Sequence, residues 1–110
     1  MQTLTTQPAY ALPCAKVLSF DARDVLNGVL AAAEHDKEWN ERKGYQDVSV
    51  CLDTIYTNIP HKVTIEVMVI YLRQLVTAGL LIEHGVRYRL SGLLAMEYAE
   101  YVATHKQEVA

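Results

Sequence analysis

A mainly helical domain with one small β-hairpin is the fold class this sequence predicts, and three observations predict it. Apolar residues recur at one-face helical spacing in four stretches. Between Leu81 and Leu90 the apolar period changes to that of a strand. The chain has 110 residues, 51% of them apolar, so it can bury one core without disulfides or metals.

The elements follow in order. Residues 1–18 read as an extended N-terminal arm, rich in Thr, Gln and Pro and without a helical period; residues 19–110 make up the domain. Ser19 or Asp21 can cap a first helix through a side-chain oxygen. That helix spans about residues 22–35, with Val25, Leu26, Val29, Leu30 and Ala33 on one face. Residues 36–44 hold six charges in nine positions and either extend this helix or form a surface loop before Gly44.

A second stripe (Val48, Cys51, Leu52, Ile55, Tyr56, Ile59) predicts a helix over residues 48–59. Val48, Val50 and Leu52 also alternate as a strand would, but that pattern fails beyond Leu52. Pro60 stops the helix, because the residue before proline disfavours helical geometry. A third helix is expected over residues 63–78, with Ile65, Met68, Val69, Leu72, Leu75 and Val76 facing inward and Gly79 as its left-handed cap. Its β-branched alternation favours a strand, but sixteen unbroken residues of apolar pattern decide for a helix. The hairpin should turn at His84-Gly85. Val86, Tyr88 and Leu90 then face inward, and Arg87 and Arg89 face solvent. A last helix spans residues 91–105, with Leu94, Tyr98 and Tyr101 or Val102 as its stripe.

Composition excludes several classes. Two cysteines, Cys14 and Cys51, are too few for a disulfide framework and match no zinc spacing; they read as reduced thiols. No basic cluster precedes an apolar run at the start, and no stretch reaches membrane-span length. The expected location is therefore the cytoplasm, with no membrane partner. The formal charge is −3, unlike that of a strongly basic nucleic-acid binder. The charge is uneven, at +2 over residues 60–92 and −5 over the remainder.

The order helix, helix, turn, helix, hairpin, helix resembles the winged helix-turn-helix family of small bacterial and phage transcription regulators. Two blocks carry the resemblance: Tyr71-Leu72-Arg73-Gln74-Leu75-Val76-Thr77-Ala78-Gly79-Leu80-Leu81, and Tyr88-Arg89-Leu90-Ser91. The first resembles the end of a recognition helix running into a wing, and the second the return strand of the wing entering a further helix. The similarity spans roughly residues 48–101. It implies a DNA-binding regulator acting as a homodimer, with the third helix in the major groove and the hairpin near the backbone. The helix after the wing would mediate dimerisation.

The candidate nucleic-acid-binding residues are Lys62, Glu66, Val67, Ile70, Tyr71, Arg73, Gln74, Arg87 and Arg89. The outer face of the third helix departs from the family pattern. Val67 and Ile70 make no hydrogen bonds and Glu66 repels phosphate, whereas base readers are typically Arg, Lys, Asn and Gln. Three readings of that face stand: burial on a second side, a protein or dimer surface, and base readout. For a protein partner the candidates are Trp39, Val67, Ile70, Tyr71, Tyr98 and Tyr101. Trp39 reads first as an amphipathic lid over the core and second as an interface anchor.

No nucleophile elbow, phosphate loop or zinc motif is present. His35, His61, His84 and His105 are scattered without ligand spacing. The sequence thus gives no catalytic residue, no metal site and no cofactor. A regulatory binding protein is the expectation, with duplex DNA ranked ahead of a protein as its partner.

Overall fold

The core is assembled around one long helix, and its first turn shows how the sequence sets the boundary. In the structure, a computed structural model that describes residues 8–59 and 63–109, the Ser19 hydroxyl accepts a hydrogen bond from the Ala22 N–H at 3.2 Å. That cap starts α1 (Phe20–Trp39). The helix runs four residues past the expected end, so its last turn takes up the start of the charged segment. Asn40 follows, and Glu41 turns the chain with a left-handed φ of 53°.

Pro8–Tyr10 and Pro13–Ala15 are single 3-10 turns rather than extended chain. Ala9, Leu12 and Ala15 are buried in the common core. Local hydrogen bonds hold these turns on α1. The Ala9 N–H donates to Asn27 Oδ1 at 2.8 Å, and the Arg23 guanidinium donates to the carbonyls of Ala15 and Lys16.

The second element differs from its prediction. Ser49–Cys51 form a strand, β1, and the helix α2 covers only Leu52–Thr57. The alternation of Val48 and Val50 is a strand signal after all, and both side chains are buried. Its pairing partner lies almost forty residues downstream, at Ser49↔Arg89, Val50↔Tyr88 and Cys51↔Arg87. A local periodicity count cannot see such a partner, and the pairing outweighs helix propagation. Cβ-less Gly28 lets α1 approach α2 closely: an added Cβ would lie 2.8 Å from Ile59 Cγ1 and 3.3 Å from the Ile55 carbonyl oxygen.

The third helix, α3 (Ile65–Thr77), forms as expected, capped by the Thr64 hydroxyl accepting from Val67 N–H at 3.2 Å. Met68, Leu72 and Leu75 are buried, whereas Val69 and Val76 are half-buried. Ile65, expected inward, is exposed because it opens the helix beyond the reach of the core. Gly79, with φ 82°, supplies the left-handed residue that redirects the chain into the hairpin.

The hairpin strands are β2 (Leu81–His84) and β3 (Arg87–Leu90). Its two-residue turn is Gly85-Val86, one position later than expected. Gly85 has φ 63° and Val86 does not, which are the φ signs of a type II′ turn. Val86 is therefore exposed at the tip and not part of the inner face. The sheet is antiparallel in the order β1-β3-β2. Tyr88, Leu90, Leu81 and Val50 point into the core. The last helix, α4 (Gly92–Val109), is capped by the Ser91 hydroxyl and seals the core with Leu94, Ala95 and Tyr98. The described chain is thus mainly helical, with one small three-stranded antiparallel sheet.

Candidate recognition surface

Two solvent faces carry the residues singled out from sequence. The first is the outer side of α3. Glu66, Val67, Ile70, Arg73 and Gln74 are all exposed there, while Tyr71 is half-buried. Burial of this face on a second side is therefore ruled out in the chain as described. Ile65, Val67 and Ile70 are 43%, 38% and 56% exposed, three large aliphatics on one short helix. Tyr71 is held in place, its hydroxyl donating to Asp21 Oδ2 at 3.1 Å, so α3 is tied to the start of α1.

The second is the outer face of the sheet. Alternation along the strands puts the side chains of Ser49, Arg89 and Ile82 in one cross-strand row. Cys51, Arg87 and His84 make the next. Arg87 is positioned by the first residue of β1, and Arg89 by the turn before it. Arg87 Nε donates to Ser49 Oγ at 2.9 Å, and one Nη to the Ser49 carbonyl at 2.6 Å. An Arg89 Nη donates to the Gln46 carbonyl at 3.2 Å. A guanidinium carries five N–H donors, so both keep donors to spare. Neither has a carboxylate ion pair among the described residues, where the one salt bridge joins Arg42 to Asp36 at 3.5 Å.

The Cys51 thiol is half-buried on this face, 3.3 Å from Thr54 Oγ1. Hydrogen bonding to the Thr54 side chain and backbone holds its pKa below the ordinary thiol value, with nearby Arg87 acting in the same direction. Cys14 is the opposite case. Burial, and then the Glu97 carboxylate bonded to its backbone N–H, push its thiol up to about 12, so it stays protonated and inert.

Several expected contact residues fall elsewhere. Lys62 and His61 lie outside the described residues. Trp39 is not a lid over the core: it ends α1 with 78% of its surface exposed, its ring stacked on His35 at 6.1 Å between centroids. Tyr98 is a core residue, 5% exposed, and so cannot anchor a partner from this conformation. Its hydroxyl donates to Glu34 Oε1 at 3.3 Å, the same atom that takes the Tyr45 hydroxyl at 2.6 Å. Tyr101 is half-buried and stacks on Tyr98 at 6.3 Å.

Sequence reasoning missed Gln46 and Ser49, which position the arginines, and Asp21, which positions Tyr71. No local signal marks those pairings. Ile82 and His84 on the outer sheet face were legible in the same strand alternation that put Arg87 and Arg89 there. Among the described residues no group of three or more His, Cys, Asp or Glu could hold a metal ion. No helix among them is long and apolar enough to cross a membrane. No protein-family model, no curated protein and no solved structure matches this chain.

Proposed function

We propose that this chain is a winged helix-turn-helix regulator that acts in the cytoplasm on duplex DNA, with α3 as its reading helix and the β2–β3 hairpin as its wing. The observation that carries this reading is the joint arrangement of the two faces. A helix packed through Met68, Leu72 and Leu75 leaves its other side open, and it runs through Gly79 into a sheet whose outer face presents Arg87 and Arg89. The order α1-β1-α2-α3-β2-β3, with β1 pairing the return strand, supports the winged reading more fully than the hairpin alone. Arg73 and Gln74 suit base edges or phosphate, and Val67 and Ile70 suit thymine methyl groups. The arginines suit phosphates, since each is already oriented with donors left over.

Two phosphate contacts per copy give weak binding, and a twofold dimer raises it. The surface for such a dimer would be α4, where Leu93 and Met96 are exposed beside a groove of about 500 Å³ that also borders Lys37 and Lys43. Anisotropy of a labelled duplex at two salt concentrations tests the reading. Each copy holding two phosphates gives a log–log salt slope of about −1.8, so affinity falls roughly tenfold for a fourfold rise in salt. Arg87→Ala/Arg89→Ala should remove that slope. Unchanged affinity in the double variant excludes the wing assignment.

A second reading is favoured by a specific observation, the exposure of Ile65, Val67 and Ile70 together. A winged-helix module that binds protein, as an adaptor or inhibitor of a cellular complex, would use that patch as its apolar centre. Absence of duplex binding at low salt, with a protein partner lost on Ile70→Asp in a chain that keeps its circular dichroism, would favour this reading over the first.

A further inference from the structure

The last helix leaves one side outside the core. Leu94, Ala95 and Tyr98 of α4 are buried, whereas Leu93 and Met96 are 49% and 54% exposed, and Ala99, Glu100 and Ala103 are exposed with them. At the helical period, Leu93, Met96 and Glu100 fall on one outward strip, and Ala99 and Ala103 lie along its flank. A groove of about 500 Å³ runs beside that flank, with Lys37 from α1 and Lys43 from the following loop on its other wall.

Groove and strip complement each other in shape and in charge. Ala99 and Ala103 end at a methyl group, so a second helix can come close there, and Leu93 and Met96 are long enough to fill the space beside them. Among the described residues Lys37 and Lys43 have no carboxylate in ion-pair reach, and exposed Glu100 has no cation. The Lys37 Nζ rests only on the Tyr45 ring, 5.2 Å from its centroid. One chain thus carries both halves of a match: apolar side chains beside a carboxylate, and a notch beside two ammonium groups. A twofold pair requires this, because each copy gives its strip to the other's groove. An unrelated partner would account for the groove or for the strip, but not for their fit to each other.

We propose that a second copy of this chain occupies the groove, α4 against α4 and antiparallel, with each copy's Met96 over the other's alanines and each copy's Glu100 on the other's Lys37 and Lys43. The antiparallel sense opposes the two helix dipoles, whereas a parallel pair would set Glu100 beside its own counterpart. This pairing rests on the dimer of the proposed regulator and gives it an orientation and a set of charge contacts. It involves no nucleic acid, so its failure is distinct from a failure to bind duplex. The contacts lie at the rim of the pair, where they select the partner and are screened by salt.

Sedimentation equilibrium of the full chain at low salt tests this by charge reversal. The parent protein should be a dimer. Glu100→Lys alone, and Lys37→Glu/Lys43→Glu alone, should each raise the dissociation constant by roughly tenfold or more, because attraction turns to repulsion in both halves of the pair. Mixing the two variants should restore the dimer, since every reversed charge then faces its opposite. Circular dichroism of each variant shows whether its helices are kept, and Glu100→Lys changes only an exposed side chain. A monomeric parent overturns the proposal together with the α4 dimer. A dimer that neither variant weakens overturns it and leaves pairing through another surface. Two folded variants that stay monomeric when mixed overturn it as well.

Discussion

Glu34 shows how single residues decide more than one element. Its Oε1 accepts from Tyr45 at 2.6 Å and from Tyr98 at 3.3 Å, and so ties α1 to the following loop and to α4. The two rings meet edge to face at 4.8 Å. Burial, and then the Glu34 carboxylate, raise both phenols above their ordinary pKa near 10. The sign of the consequence follows. Above pH ~10 the unfolded chain loses phenolic protons that the folded chain keeps, so the unfolded state binds fewer protons and stability falls as pH rises. The expected loss is up to about 1.4 kcal/mol per pH unit for each of the two phenols. Urea unfolding followed at rising alkaline pH checks it; a flat profile there would mean the two phenols ionise alike in both states. The same residues mark a limit of the sequence. Tyr98 was legible as part of the α4 stripe, but nothing local announces that its hydroxyl meets Glu34, 64 residues away. An interface role for it therefore looked open. Trp39 misled for the opposite reason: a lone Trp among charges suggests a lid, but α1 continues to that residue and carries the ring out into solvent.

At the scale of elements, the helices with strong stripes were legible. α1 was found with its buried face, α3 with Met68, Leu72 and Leu75 of the six residues expected inward, and α4 with its start, because burial against a single core imposes the helical period directly on the sequence. β1 left only the short alternation of Val48 and Val50, which the longer helical stripe outweighed, because three residues are too few to decide a period and their partner strand is distant. Missing it also hid Ser49 and Gln46, which hold Arg87 and Arg89, so the candidate site was legible as residue types but not as a positioned set. The α1–α2 contact makes a test of packing at this scale. With Ile59 Cγ1 2.8 Å and the Ile55 carbonyl 3.3 Å from a Cβ at position 28, Gly28→Val should overpack the contact and cost about 2–3 kcal/mol, beyond any gain in helix propensity. Thermal unfolding reads this directly. A variant as stable as the parent would mean that α2 can move away from α1 at no cost.

At the scale of the molecule, the account joins a core that fixes α3 by one side to two faces that remain open. Net charge of −3 sets a ceiling on non-specific affinity, so binding to duplex has to come from local groups such as Arg73, Arg87 and Arg89. Assembly would compensate. The proposed α4 dimer predicts a solution mass twice that of the chain by light scattering, and Met96→Glu should return it to the monomer by placing a charge in the apolar contact. A monomeric parent protein would remove the dimer and leave the two-phosphate affinity as the ceiling. The central claim is that the outer side of α3 and the wing together meet the target. Amide chemical-shift mapping during titration with duplex DNA at low salt tests it most directly. The account predicts shifts concentrated at Glu66, Val67, Ile70, Arg73 and Gln74 and at Arg87 and Arg89; shifts confined to α4 or to the N-terminal turns, or no shifts at all, would contradict it.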